Sequence, residues 1–200
     1  MKITNIKAQV KTAGRYSIFV DGKYVFSLSD VALLKQQLRI GQELSKEQIA
    51  TLKQLSSDDK LYGATLRYLG IRSRSVWEVH TYLQRKKAPP ALVDSILNKL
   101  RAEEYINDLS FAQAWVSNRR LLRPTSKRKL QQELRSKHVA DEIIGQVLAS
   151  NEGDERQLLR ELAHKKRARY ADTVKLMHYL VRQGFSYEDV KAVIQELSQD

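Results

Sequence analysis

The sequence predicts a mainly α fold: three tandem three-helix repeats in an elongated arrangement, preceded by a small N-terminal module that contains a β-hairpin. Three observations support this prediction. An apolar pattern recurs three times along the chain. Two runs of alternating apolar residues flank Asp21-Gly22 near the N-terminus. Only 8 glycines and 3 prolines occur in 200 residues, and so few helix breakers favour helical structure.

The recurring pattern is centred on Leu83, Leu134 and Leu180, called here the central leucines. Self-similarity at such an interval is typical of stacked units, each too small to bury its own apolar face. Stacked helical units make long surfaces, which suit long partners such as filaments and nucleic acid. Positions 5, 10, 13 and 14 after each central leucine are apolar: Ala88, Val139 and Phe185; Val93, Ile144 and Val190; Ile96, Val147 and Val193; Leu97, Leu148 and Ile194.

The N-terminal module begins with strand signals. Residues 16–20 and 24–28 alternate between apolar and other side chains, and Asp21-Gly22 separates them. Asp-Gly between two alternating runs predicts a hairpin, because both turn residues must adopt a positive φ. Residues 3–11 alternate in the same way and predict a third strand.

Two short helices are predicted to complete this module. Ser29-Asp30 can cap the first, which would carry Val31, Leu34 and Leu38 on its apolar face. Ser45 and Gln48 form a capping-box pattern before the apolar residues of the second.

Each repeat is predicted to contain three helices, begun by capping residues or prolines and separated by short breaks. Pro124-Thr125-Ser126 breaks the second repeat, and Gly184 ends a helix in the left-handed conformation. In the first repeat the helices are predicted to start at Ser57-Asp58, at Ser75 and at Pro89 or Pro90. In the second they start at Asp108 or Ser110 and at the end of the Pro124 break, and the third helix contains Ile143 and Ile144. In the third repeat the first helix contains Leu158, and the other two start at Asp172 and Ser186. The resulting boundaries give an N-terminal module over residues 1–57 and repeats over 58–108, 109–153 and 154–200.

The chain is strongly basic, with 35 Lys and Arg against 23 Asp and Glu and a net charge of +12 at pH 7. This balance indicates an anionic partner, most often nucleic acid or an acidic protein surface, with solubility alone as the alternative. The absence of cysteine excludes disulfides and thiolate metal sites and fits a reducing cytoplasm. The first residues lack the apolar core of a signal peptide, and no run approaches the ~18 apolar residues of a membrane span. We therefore expect a cytoplasmic protein that does not enter a membrane.

Motifs of enzymes are not recognisable. The sequence has no phosphate loop with its Lys-Ser/Thr pair and no Gly-x-Ser-x-Gly nucleophile motif. The four histidines, at positions 80, 138, 164 and 178, lack the spacing of metal ligands and are interpreted as surface or helix-end residues. The sequence thus predicts no catalytic residue, no metal site and no cofactor.

Basic clusters are the candidate binding residues. The connection between the first and second helices is basic in all three repeats, and in the second repeat six basic residues fall within positions 119–129. Lys and Arg at loops and helix ends can bind phosphates or carboxylates; the alternative role is to complement helix dipoles and keep the chain soluble. The candidates are Arg72, Arg74, Arg85, Lys86, Lys87, Arg119, Arg120, Arg123, Lys127, Arg128, Lys129, Lys137, Lys165, Lys166, Arg167 and Arg169.

From about residue 56 onward the chain contains a set of short motifs: Tyr68-Leu69 with Arg72-Ser73-Arg74-Ser75 and Glu78; Tyr105-Ile106-Asn107-Asp108 with Phe111-Ala112; Arg119-Arg120 with Pro124; Leu130-Gln131-Gln132-Glu133-Leu134 with Lys137; and Tyr179-Leu180 with Gly184-Phe185. Taken together, these motifs resemble the RecX family of bacterial regulators of the recombinase RecA. Lys87 and His138 stand where that family often has a helix-ending glycine, and Thr125-Ser126 stand where it often has Lys-Gly after the proline.

The resemblance implies tandem three-helix repeats, often preceded by a β-rich extension. It also implies a non-catalytic protein that binds in the groove of the RecA–DNA filament and restrains recombination, ATPase and coprotease activity. The basic loops make single- or double-stranded DNA a further candidate partner, and we expect a monomer. Two alternatives from other classes stay open: a direct DNA-binding helical regulator of the helix-turn-helix type, and a repeat scaffold for an acidic protein.

An elongated arrangement can be tested by small-angle X-ray scattering. Stacked repeats contact only their neighbours, so we expect a radius of gyration clearly above the ~16–17 Å of a compact protein of this length. A value within that compact range would contradict the prediction.

Overall fold

The computed structural model describes residues 1–150, 155–170 and 172–197. These residues form three strands and ten helices, which confirms the predicted fold class. The elements are β1 (Ile3–Ala8), β2 (Arg15–Val20), β3 (Lys23–Ser29), α1 (Asp30–Lys35), α2 (Lys46–Ile71), α3 (Val76–Arg85), α4 (Pro90–Ala102), α5 (Asp108–Leu122), α6 (Lys127–Ser136), α7 (Asp141–Ala149), α8 (Glu155–Arg167), α9 (Thr173–Arg182) and α10 (Tyr187–Leu197).

Two compact units are present in the chain. The first contains Met1–Arg72 and Tyr82–Ile96, and the second contains Ser73–Thr81 and Leu97–Asp200. The boundaries between the module and the repeats, drawn from the sequence at residues 57 and 108, stay predictions. The third boundary, at residue 153, lies outside the described residues.

The hairpin and the third strand are confirmed. β2 and β3 pair antiparallel on either side of Asp21 and Gly22, whose φ angles are 48° and 79°. Two positive φ values match a type I′ turn, whose twist suits the flanking strands. β1 pairs antiparallel with β2, so the strand order is β1-β2-β3. The buried core below the sheet consists of Ile3, Ile18, Val20, Phe26, Leu28, Leu44, Ile49 and Leu52.

Helix α1 is capped as predicted, but the face that it packs against the core is not the predicted one. The Ser29 hydroxyl accepts a hydrogen bond from the Ala32 N–H. The predicted apolar face is wrong, because Val31 and Leu34 are 66% and 76% exposed. Ala32 and Leu33 pack against the core instead, and the helix is too short to include Leu38.

Helix α2 is longer than predicted. Ser45 and Gln48 form the predicted reciprocal capping box, but the helix continues without a break to Ile71. A helix start at Ser57-Asp58 is therefore wrong. Polar residues there are interior helix positions, because Asp58 accepts a hydrogen bond from the Gln54 side chain one turn earlier and does not cap a new helix.

The polar residues of α2 also cover the outer edge of β3. The Ser27 N–H donates to Ser56 Oγ (3.4 Å), and that hydroxyl donates back to Ser27 O (2.6 Å). The Ser29 N–H donates to the Asp59 carboxylate at 2.9 Å, and Arg15 reaches the same oxygen at 2.9 Å. An edge strand exposes unpaired backbone groups, and side chains of one helix satisfy them here.

The repeat register is confirmed by burial. All three central leucines are 0% exposed. The residues 10 and 13 positions later are also buried in every repeat. The second repeat encloses a core that includes Phe111, Leu130, Leu134, Ile144 and Val147, and the third encloses one that includes Leu159, Leu176, Leu180, Val190 and Val193.

The second helix of each repeat begins and ends in the same way. The residue eight positions before each central leucine is the N-cap: Ser75, Ser126 and Asp172 each accept hydrogen bonds from N–H groups of the first turn. The residue four positions after each central leucine has a positive φ: 60° at Lys87, 56° at His138 and 94° at Gly184. Lys87 and His138 thus keep the left-handed geometry that glycine provides in the third repeat.

Consecutive repeats meet through hydrogen bonds at these helix ends. Ser75 Oγ donates to Lys137 O at 2.9 Å. One repeat later, Thr125 Oγ1 donates to Gln183 O at 2.7 Å, and the Ser126 N–H donates to the same carbonyl at 3.0 Å. Lys137 and Gln183 are the C-cap residues of α6 and α9, where a helix leaves carbonyl groups unpaired. We call the two contacts the first and second junctions.

Each junction includes a second recurring bond. The Val76 N–H donates to the Asp108 carboxylate at 2.9 Å, and the Lys127 N–H donates to the Glu155 carboxylate at 3.0 Å. In both cases the first N–H of a second helix meets the acidic residue that begins the next helix but one, Asp108 of α5 or Glu155 of α8. The carboxylate pairs an orphan N–H and lies at the positive end of the helix dipole. Burial raises the pKa of Asp108, and its hydrogen bond from Val76 partly opposes that shift.

Gly184 has a steric role at the second junction as well as a conformational one. A Cβ at this position would lie 2.3 Å from Ser126 Oγ, 2.7 Å from Lys129 Cβ and 3.3 Å from Lys129 N. At the equivalent place in the first junction, His138 has room for an imidazole, which stacks on Trp77 with ring centroids 4.2 Å apart. The second junction is therefore the more closely packed of the two at this position.

Substitution of Gly184 tests this packing. We expect Gly184→Ala to lower the free energy of unfolding by roughly 2–4 kcal/mol, because it combines a left-handed backbone with an overpacked contact. Gly145→Ala in α7 is the matched control, since nothing lies within 4 Å of its added Cβ. The control should be neutral or stabilising by about 0.5–1 kcal/mol. Equal unfolding midpoints for the two variants in urea would contradict the close approach at the second junction.

Candidate functional site

The predicted basic residues include one arginine that recurs at a fixed place. Arg72, Arg123 and Arg169 each stand 11 positions before a central leucine, and all three are exposed. Arg72 and Arg123 are the C-cap residues of α2 and α5, and Arg169 follows the end of α8. The connection between first and second helices therefore presents a cation in every repeat.

Part of the second-repeat cluster is engaged inside the fold. Arg119 Nε lies 2.8 Å from Glu133 Oε2, and its guanidinium lies 5.1 Å from the centre of the Trp115 ring. The Trp115 indole N–H donates to the same Glu133 oxygen at 2.8 Å. These contacts tie α5 to α6, so Arg119 serves packing within its own repeat.

Lys137 is engaged at the first junction. Its ammonium lies 3.0 Å from Glu78 Oε1, and the Glu78 side chain is only 7% exposed. The same ammonium lies 5.5 Å from the centre of the Trp115 ring. Lys137 thus neutralises a nearly buried carboxylate that also completes the capping box of Ser75.

At the second junction Lys129 holds the register position that Glu78 holds at the first, five residues before a central leucine, but with the opposite charge. Its ammonium donates to the backbone carbonyl of Arg182 and lies 3.4 Å from Gln183 Oε1. A cation at the carbonyl end of α9 complements the helix dipole. Lys127 is half-buried and contributes its backbone N–H to the same junction.

Arg123 and Arg128 are the exposed members of the second-repeat cluster, and Arg120 is half-buried. Arg128 lines a shallow cleft of about 410 Å³ with Arg156, Glu155 and Asp189. Two cations and two carboxylates share this cleft, so it has no net preference for an anion.

The other clusters lie at helix ends. In the first repeat, Arg85, Lys86 and Lys87 are exposed around the end of α3, and Arg74 is half-buried. In the third repeat, Lys165, Arg167 and Arg169 are exposed at the end of α8, and Lys166 lies 5.9 Å from the centre of the Tyr179 ring. Basic residues in a last helical turn complement the dipole, and their exposure also leaves them accessible to an anionic partner.

Sequence reasoning missed the apolar residues beside these arginines. Ile71 is 76% exposed at the end of α2, and Leu121 and Leu122 are 80% and 73% exposed at the end of α5. The repeat register was the signal that could have found them, because Ile71 and Leu122 both stand 12 positions before a central leucine.

Within the described residues, no three His, Asp or Glu side chains gather in a way that could hold a metal ion. In the same part of the chain, no helix is both long enough and apolar enough to cross a bilayer. The exposed groups that recur are cations and apolar side chains. The cations among them can pair with phosphates or carboxylates.

Three family sequence models match the chain. One is described as the N-terminal domain of regulatory protein RecX and matches residues 1–45. The first three-helix domain of RecX matches residues 62–100, and the second matches residues 107–148.

Named relatives and solved crystal structures are also similar to this chain. Regulatory protein RecX of Bacillus pumilus is 34% identical to this chain, and the match covers 97% of this chain and 76% of the relative. Regulatory protein RecX of Listeria welshimeri is 32% identical, and the match covers 100% of this chain and 77% of the relative. A crystal structure of a regulatory protein RecX superposes with a TM-score of 0.74 and 29% identity over 96% of this chain and 98% of the other. RecX from Lactobacillus salivarius gives a TM-score of 0.60 and 27% identity over 72% and 97%.

Measurements of folding stability can test whether Lys137 and the exposed arginines have different roles. We expect Lys137→Met to lower the free energy of unfolding by about 1–3 kcal/mol, because it removes the cation that lies 3.0 Å from the nearly buried Glu78 carboxylate. Arg123→Ala should change it by less than about 0.5 kcal/mol, since its side chain is exposed. Urea unfolding of both variants decides this, and a loss of stability confined to Arg123→Ala would reverse the assignment.

Proposed function

The chain belongs to the RecX family of regulatory proteins, and on that premise we propose that it is a non-catalytic regulator of the RecA recombinase. It binds the RecA–DNA filament in its groove and inhibits recombinase, ATPase and coprotease activity in DNA repair and the SOS response. It acts in the cytoplasm as a monomer and needs no cofactor.

The recurrence of exposed Arg72, Arg123 and Arg169 at one position of the repeat register carries this proposal. A filament offers the same surface again and again along its length. A protein that presents the same cation in each of its repeats can make one kind of contact several times, and several linked contacts bind more tightly than one. The net charge of +12 favours association with a partner that contains DNA.

Binding to RecA filaments on single-stranded DNA across a salt series tests the proposal. The double variant Arg123→Ala with Arg128→Ala should bind the filament more weakly than the wild type. If the two arginines bind nucleic acid, the log–log salt slope should be smaller by roughly 0.7–0.9 for each phosphate that the variant no longer neutralises. The matched control, Lys46→Ala with Lys53→Ala, removes the same charge from exposed positions of α2 outside the basic connections.

Three outcomes separate the candidate functions. Weaker binding by the Arg123/Arg128 variant alone, with unchanged thermal melts, supports the proposal. Equal weakening by the control variant would reduce the effect to net charge. Wild-type protein that binds naked DNA as tightly as filaments would favour the direct DNA-binding regulator instead.

A further inference from the structure

The sheet of the N-terminal module has a second face that the core does not use. Ile18, Val20, Phe26 and Leu28 lie on the core side and are at most 5% exposed. Because successive side chains of a strand point to opposite faces, Phe19 lies on the other side of the sheet. We call this side the open face. Residues that pair across the three strands give it Asn5, Lys7, Ser17, Phe19 and Tyr24.

Two aromatic rings lie next to each other on the open face. Phe19 and Tyr24 are direct cross-strand partners, and their ring centroids are 6.1 Å apart with an angle of 76° between the ring planes. Phe19 is half-buried and Tyr24 is 51% exposed. The apolar core of the module lies on the opposite face, so the rings do not contribute to it. Adjacent rings that the core leaves at the surface can contact a ligand.

The surroundings of the two rings are positively charged. The Lys7 ammonium lies 5.7 Å from the centre of the Phe19 ring, on the same face. In the sequence, residues 1–29 contain five Lys and Arg but only one acidic residue, Asp21. Four of the five cations are exposed lysines on the strands or near their ends: Lys2, Lys7, Lys11 and Lys23. The open face therefore combines aromatic rings with a positive potential.

This combination is suited to single-stranded nucleic acid. Unpaired bases stack on aromatic rings, and lysines pair with the phosphates of the same strand. Antiparallel sheets with aromatic residues on an open face bind single strands in this way in RNA-binding modules. In a duplex the bases are already stacked on one another, so a duplex could use the lysines but not the rings.

We propose that the open face of the N-terminal module is a binding surface for single-stranded DNA. Phe19 and Tyr24 stack on bases, and Lys7 pairs with a phosphate beside them. This surface is separate from the basic connections of the repeats, and its contact with DNA requires no filament protein. Only the choice of DNA over RNA rests on the proposed function, because the filament is assembled on DNA.

Fluorescence anisotropy of a labelled oligothymidylate, measured without RecA, tests the proposal on the full-length chain. One test variant combines Phe19→Leu with Tyr24→Leu, which keeps apolar side chains but removes the flat rings. Its matched control, Tyr187→Leu, removes a ring that is 60% exposed in α10. The second test variant is Lys7→Gln, and its control, Lys53→Gln, removes the same charge from an exposed position of α2.

We expect the Phe19/Tyr24 variant to bind oligothymidylate about tenfold or more weakly than the wild type, because stacking contacts are lost. An abasic oligonucleotide of the same length should bind the wild type and this variant equally, since it has no base to stack. Lys7→Gln should lower the log–log salt slope by roughly 0.7 for the phosphate that it no longer neutralises. Both controls should bind oligothymidylate like the wild type.

Thermal melts of all variants verify folding. Where the double variant melts at a lower temperature than the wild type, Tyr24→Leu alone decides, because its side chain is the more exposed of the two. We expect it to weaken oligothymidylate binding by about fivefold or more while the melting temperature stays unchanged.

Equal affinity of the wild type and the ring variants for oligothymidylate, or a wild type that does not bind it, would overturn the proposal. An equal loss with Tyr187→Leu would do the same. Tighter binding to oligouridylate would overturn the choice of DNA, and a loss of affinity confined to RecA filaments would make the face a protein contact instead. None of these results contradicts the proposed function, which is contradicted only if the wild type fails to bind filaments.

Discussion

The hydrogen bonds between helix ends are the contacts that connect each repeat to the next. A helix leaves its last carbonyls and first N–H groups without partners, and burial of such groups between repeats would be costly. The two junctions pair these groups across repeats, with Ser75 on Lys137 and with Thr125 and Ser126 on Gln183. Because the positive end of one helix meets the negative end of another, the dipoles also attract. The core clusters of the second and third repeats lie within single repeats, whereas these helix ends are paired across repeats.

Periodicity explains how much of the fold was predictable from the sequence. The central leucines, the caps at Ser75 and Asp172, and the hairpin at Asp21-Gly22 follow from local rules of spacing and turn chemistry. The unbroken course of α2 does not, because Ser57-Asp58 look like capping residues. Only the structure shows that the neighbouring Ser56 and Asp59 bind the edge of β3 from within one continuous helix. The face of α1 was missed for the same reason, since a six-residue helix takes its orientation from the sheet and not from its own pattern.

The candidate site shows the same division between what sequence and structure provide. The sequence located basic residues at the first connection of every repeat, but it could not separate cations that pair within the fold at a junction from those whose side chains are exposed. Lys137 depends on Glu78, 59 residues earlier in the chain, and Lys129 on the end of α9, more than 50 residues later. Charge pairing over such distances is decided by tertiary contact. The repeat register does identify Arg72, Arg123 and Arg169 as a group, because they share one position in the register and are all exposed.

The junction chemistry also distinguishes the start of α9 from the starts of α3 and α6. Each junction needs a hydroxyl that donates to a carbonyl of the following repeat, and Ser75 and Thr125 provide it. In the third repeat the corresponding positions hold Ala171 and Asp172. An ionised carboxylate only accepts hydrogen bonds, and here it is occupied by the N–H groups of Val174 and Lys175. The side-chain donation that both junctions share thus has no counterpart at the start of α9, where the carboxylate serves as an N-cap and as an acceptor alone.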